Sequence, residues 1–142
     1  MAETAILVDS SIWIEALAPR APEAIVTILR ALLTAKRTAV TEMVRLEVMA
    51  GAKSAKEFDQ FREDFAAVSC FSATAESWRQ AEELSFALGR RGLRVPAADL
   101  LIAAVAISHD VPLWHADRDF ERVRHVSSGL KTFWHPHQAP TA

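Results

Sequence analysis

Residues 5–17 read AILVDSSIWIEAL. Four apolar residues in a row, without alternation, describe a strand buried on both faces, as at the centre of a parallel sheet. Asp9 ends that run, and Ser10 and Ser11 are placed to cap the helical turn IWIEAL, which stops before Pro19. The stretch predicts a strand, a turn that carries a carboxylate, and a helix. In open α/β sheets ligands bind at that kind of turn, beyond the carboxyl ends of the strands.

The unit recurs down the chain. Ile25, Ile28, Leu29, Leu32 and Leu33 stand at helical spacing behind Pro22. Residues 38–40 predict a second strand, followed by a helix capped by Thr41 and closed at Gly51. Phe58, Phe61, Arg62 and Phe65 mark an amphipathic helix over 53–65, and residues 67–71 a brief strand. A longer helix over 74–88 ends at Gly89, and the connection RRGLRV leads through Pro96 into the apolar helix ADLLIAAVAI. Residues 111–114 read as a strand, with Pro112 tolerated near its start, then 117–123 as a short helix and 131–134 as a last strand. Short apolar strands alternating with longer helices predict an α/β sandwich around a mostly parallel sheet. The domain spans residues 1–134; the tail HPHQAPTA, residues 135–142, has no apolar pattern and is expected to fray.

At 142 residues the chain is one domain with a real core. Its single cysteine, Cys70, excludes an internal disulfide framework and a multi-cysteine metal site, and its place in AAVSCF predicts a packed core position. No run approaches the roughly 18 apolar residues of a membrane span. The N-terminus lacks the basic region of a signal peptide, so a cytoplasmic protein is expected. A net charge of −2 excludes a grip on nucleic acid by overall charge; any such contact must rest on local arginines or bridging metal.

Four acids then demand attention. Asp9 ends the first strand, Glu47 interrupts TEMVRLEVMAG, Asp99 opens the apolar helix, and Asp117 follows LWHA. Taken singly, each of three has an ordinary explanation: Asp9 as a helix cap, Asp99 and Asp117 (with Asp119) as first-turn acids that suit the helix dipole. Glu47 resists, since it shares a helix side with Met43, Ala50 and Gly51. Asp9 and Asp117 fall on the same rim, where Asp99 can join them. Clustered carboxylates without cationic partners repel, so a cation is expected among them. An all-oxygen set suits Mg²⁺ or Mn²⁺, whereas zinc would want histidine or cysteine. Of the five histidines only His115 is near, as an auxiliary ligand or substrate contact. Such a site suits phosphodiester hydrolysis. The chain has neither a G-x-x-x-x-G-K phosphate loop nor a G-x-S-x-G serine.

The blocks ILVDSSIWIEAL, TEMVRLEVMAG, VPAADLLIAAVA and LWHADRDFERV, in that order, resemble those of PIN-domain ribonucleases, most of all the VapC toxins of type II toxin–antitoxin pairs. The resemblance runs from Ile6 to about Val126. It implies a three-layer α/β/α PIN-like fold and a Mg²⁺- or Mn²⁺-dependent endoribonuclease. Asp9, Glu47, Asp99 and Asp117 match the family's catalytic and metal-binding acids, with Asp119 able to share the fourth place and Ser11 at a hydroxyl position that supports the first. His115 stands where many members carry threonine or serine. The resemblance further implies a homodimer, neutralised by a small VapB-like antitoxin; the surfaces that would face it are Ile12, Trp13 and Leu17, and the helix of Phe58 to Phe65. Arg90, Arg91 and Arg94 are candidate RNA contacts, as is His115. Two other classes stay open: a phosphohydrolase or receiver-like acidic-site domain, the latter needing a late lysine for which Lys131 is the candidate, and a non-catalytic partner-binding module.

Overall fold

The structure, a computed structural model, describes residues 4–142. Its strands are β1 (Ile6–Val8), β2 (Thr38–Val40), β3 (Ser69–Cys70), β4 (Leu113–His115) and β5 (Thr132–Trp134). Its helices are α1 (Ser10–Leu17), α2 (Glu23–Thr34), α3 (Glu42–Ala50), α4 (Ala55–Ala66), α5 (Ala75–Gly89), α6 (Ala97–Ser108) and α7 (Arg118–Arg124). All strand pairs are parallel, in the order β3-β2-β1-β4-β5, which makes the three-layer α/β/α arrangement expected of the sequence.

The unalternating apolar runs go where both faces are covered. Every residue of β1, β2 and β4 is buried, and Leu7 sits in register with Ala39 on one side and Leu113 on the other. The chain builds outward from β1 to β2 and β3, then returns to lay β4 on the opposite flank of β1. This reversal opens a crevice between the carboxyl ends of β1 and β4. The two ends are joined directly, as Asp9 N–H donates to the Trp114 carbonyl at 2.9 Å.

Helix α6 is apolar nearly all round and is accordingly interior: eight of its twelve residues, 99–106, are buried. It delivers Asp99 from its first turn to the crevice. Helix α1 is anchored beneath by Trp13, whose indole N–H donates to the Val8 carbonyl at 3.1 Å and whose ring meets Phe65 edge-on at 5.1 Å.

One expectation is overturned. Cys70 is exposed rather than packed in the core. Its strand is a two-residue edge of the sheet, and only the flanking Val68 and Phe71 turn toward the core. In the connection 90–95, Gly92 takes φ +70°, a left-handed turn that suits glycine. Beyond β5, Gln138 N–H donates to the Trp134 carbonyl at 2.8 Å, the Arg37 guanidinium donates to the Thr141 carbonyl at 2.6 Å, and Pro140 is buried.

Candidate metal centre

Asp9 leaves β1 and caps α1. Its Oδ2 accepts from Ser11 N–H at 3.0 Å and from the Ser11 hydroxyl at 2.6 Å. The Ser11 oxygen in turn accepts from Ala116 N–H at 2.9 Å, so one hydroxyl ties the turn after β1 to the turn after β4. The other carboxylate oxygen, Oδ1, is buried with no hydrogen-bond partner. Burial pushes the Asp9 pKa up; the Ser11 bonds oppose that, and repulsion from Glu47 adds to it. A buried acceptor without a donor is costly unless something positive stands near it.

The other acids converge from three more elements. Glu47, on α3, accepts at Oε1 from the Ser10 hydroxyl at 3.1 Å. Asp117 caps α7, its Oδ1 accepting from Asp119 N–H at 2.9 Å. Asp99, only 9% exposed, has its pKa raised to about 7, first by burial and then by repulsion from Asp9, Asp117, Glu47 and Asp119. Asp99, Asp117 and Asp119 each bring a carboxylate oxygen within 4.8 Å of the others. Asp119 also pairs with Arg122. Among the described residues no cation pairs with Asp9, Glu47, Asp99 or Asp117. The donor set is all oxygen, one buried oxygen lacks a partner, and the acids repel; that combination fits a hard divalent cation.

His115 does not have the place expected of it. It is wholly buried, so it cannot touch RNA, and both ring nitrogens are engaged. Nδ1 accepts from Asp117 N–H at 3.1 Å, which leaves the proton on Nε2 to donate to Glu121 Oε2 at 2.7 Å. Burial pushes its pKa down, so the contact is a neutral imidazole on a carboxylate rather than an ion pair. Burial also works against the Glu121 charge, but Arg124, His115 and Thr132 outweigh it and hold that pKa below the usual value. His115 thus braces the turn that presents Asp117. From the sequence Ser10 reads only as a cap of α1, and its bond to Glu47 has no local signal beyond the DSS triplet; Glu121 matters only through its contact from α7 to His115 on β4.

The arginines divide. Arg90, Arg91 and Arg94 are all exposed, but Arg91 faces a groove beside α7 whereas Arg94 lines a separate one with Leu88, Pro96 and Leu100.

Comparison with known proteins follows the same lines. The PIN domain family model matches residues 6–126. The chain is 30% identical to Ribonuclease VapC18 of Mycobacterium tuberculosis over 131 residues, 89% of this chain and 92% of that protein. Among solved structures, the DNA-bound VapBC of Salmonella typhimurium superposes with a TM-score of 0.75 at 18% identity, covering 92% of this chain and 97% of its own. VapBC-5 of Mycobacterium tuberculosis gives 0.67 at 23%, covering 93% and 99%.

Proposed function

The chain belongs to the PIN-domain family, and from that premise we propose that it is a Mg²⁺- or Mn²⁺-dependent endoribonuclease, the toxin of a toxin–antitoxin pair. The observation that carries the metal is the unpartnered, buried Asp9 Oδ1, set beside an Asp99 whose pKa is pushed to about 7 first by burial and then by the acids around it. Asp9, Glu47, Asp99 and Asp117 would hold the ion, with Asp119 shared between it and Arg122. When bound, the ion supplies charge neutralisation and a more acidic water for hydrolysis of a phosphodiester. The chain's own groups supply order. Ser11 occupies Asp9 Oδ2 and leaves Oδ1 available, Ser10 steadies Glu47, and His115 fixes the backbone of Asp117.

The His115 role has its own test. His115→Asn sets an amide oxygen near the Nδ1 position and is expected to retain Mn²⁺ affinity within about threefold of the native protein. His115→Gln loses that acceptor and is expected to weaken binding by about tenfold or more. Calorimetry read beside thermal melting decides it: equal losses in both variants would reduce the imidazole to filler.

The antitoxin would dock on the opposite side of α1. A groove of about 450 Å³ between α1, α2 and α4 is lined by Trp13, Leu17, Leu29, Leu33, Phe61 and Phe65. Leu17 and Leu33 are 50% and 39% exposed, a large apolar cost for an uncovered surface. Ile12, expected on this surface, is instead wholly buried in the core. Leu17→Glu is expected to weaken capture of the co-expressed antitoxin by about 100-fold while leaving cleavage intact; an undiminished complex would move the dock elsewhere. Homodimerisation belongs to the same reading, and Leu46, Trp78 and Phe86, exposed on α3 and α5, are the apolar residues a second copy would cover.

The receiver-like alternative lacks its lysine: Lys131 precedes β5 and pairs with Asp110 before β4, at the rim away from the acids. Among the described residues no helix is long and apolar enough to cross a membrane; action in the cytoplasm is part of the proposal.

A further inference from the structure

The tail 135–142, expected from the sequence to fray, is tied down at several points. His135 N–H donates to the His115 carbonyl at 2.8 Å, continuing the β4–β5 ladder, and Gln138 N–H donates back to the Trp134 carbonyl at 2.8 Å. The His137 ring meets the Trp134 ring edge-on, with centroids 4.6 Å apart. His135 Nε2 stands 3.9 Å from Glu15 Oε2 on α1, a buried oxygen with no hydrogen-bond partner. Farther on, Pro140 is buried, and the Thr141 carbonyl accepts from Arg37, whose Nε donates to the Thr4 carbonyl at 3.0 Å. The tail therefore runs from the carboxyl end of β5, past α1, to the amino ends of β1 and β2.

What the tail holds is β5. That strand has three half-buried residues and one neighbour, β4, and a parallel edge of that length has little stability of its own. Its contacts nevertheless converge on His115. The Thr132 hydroxyl donates to Glu121 Oε2, the oxygen that His115 Nε2 also meets. The Trp134 ring lies near-parallel to the His115 ring with centroids 6.4 Å apart, and His135 N–H takes the His115 carbonyl. His115 Nδ1 in turn accepts from Asp117 N–H at 3.1 Å. We propose that residues 135–142 are a strap that positions Asp117 for the metal, acting at a distance through β5 and His115. The proposal rests on the metal-site reading and adds a control to it. The tail contains no acid, so releasing it slackens one ligand while all the acids stay in the chain.

The test is amide hydrogen exchange on the whole, metal-free chain, followed residue by residue, beside Mn²⁺ calorimetry. Pro140→Asp sets a charge at a buried anchor, and Arg37→Ala removes the donor to Thr141. Each is expected to speed exchange at Gln138, His135 and Asp117 by about tenfold or more. The Leu7 amide, bonded to the Pro112 carbonyl within the central sheet, should change far less. Mn²⁺ affinity is expected to fall by about tenfold, the scale of loss when a ligand's supporting contact goes. In a His115→Gln background Pro140→Asp should cost no further affinity, because the route to Asp117 is already cut. Should Pro140→Asp fail to fold, Arg37→Ala carries the test. Exchange at Gln138 in the native chain as fast as in a free peptide would overturn the strap. So would an unchanged Asp117 amide in both variants, or affinity losses that add in the double variant. Acceleration that keeps Leu7, His135 and Asp117 in their native ratio would overturn it too, since that is a loss of global stability alone. A native chain that binds no Mn²⁺ would overturn the metal reading, and the Asp117 amide would still decide the strap.

Discussion

Asp99→Asn is expected to lower metal-dependent RNA cleavage by at least about a thousandfold, the equivalent of about 4 kcal/mol of transition-state stabilisation. The same change is expected to make the metal-free protein more stable above pH 7. In the folded chain Asp99 binds its proton more tightly than in the unfolded one, because burial and four neighbouring acids raise its pKa from 3.8 to about 7. Its contribution to stability is therefore fully present below about pH 4 and is lost as the pH rises through 7. Asparagine never acquires the charge. The variant should melt with the native protein at pH 4, where both side chains are neutral, and higher by roughly 5 °C at pH 8 in chelator. A residue that merely caps α6 would behave in the opposite way, since removing its charge would forfeit a favourable interaction with the helix dipole. A lower melting temperature for Asp99→Asn at pH 8, or retained cleavage, would remove Asp99 from the centre.

Metal affinity should carry the same signature. Mn²⁺ must displace the proton that Asp99 holds near pH 7, so affinity is expected to fall about tenfold per pH unit below 7, or about 100-fold between pH 7 and 5. Titration in buffers of different ionisation enthalpy should register about one proton released per ion at pH 6. Asp9, also raised by burial, steepens the fall at the acid end. An affinity flat across this range would mean that the ion binds away from Asp99.

Much of this was legible because the strands are buried on both faces. AILVD in the chain reads as an interior strand ending in an acid, and it is one; the apolar helix behind Pro96 is as interior as its composition demands. Asp9, Asp99 and Asp117 come together because each follows, opens or caps an element that meets the crevice, and Glu47 joins them from within α3 through its bond from Ser10. The failures are of another kind. Cys70 sits in an apolar run but on a two-residue edge strand, where burial depends on what lies alongside and not on local composition. His115 reads from the sequence as an auxiliary ligand or substrate contact, whereas its buried ring braces Asp117 and is oriented by Glu121, which Thr132 also holds. Arg122 and Asp119 look like ordinary members of a helical charge pattern, and only the fold sets their pair at the edge of the acidic cluster. Periodicity reports which side of an element is interior; it does not report which buried groups face one another.

The most direct test is cleavage of a pool of unpaired RNAs by the purified, antitoxin-free chain, with end-mapping, in Mg²⁺ or Mn²⁺, in chelator, and after metal is restored. Discrete new ends that appear with metal, vanish in chelator and return on restoration are the predicted result. The same ends forming in chelator, or persisting in Asp99→Asn with metal, would contradict a carboxylate-held ion as the agent of cleavage.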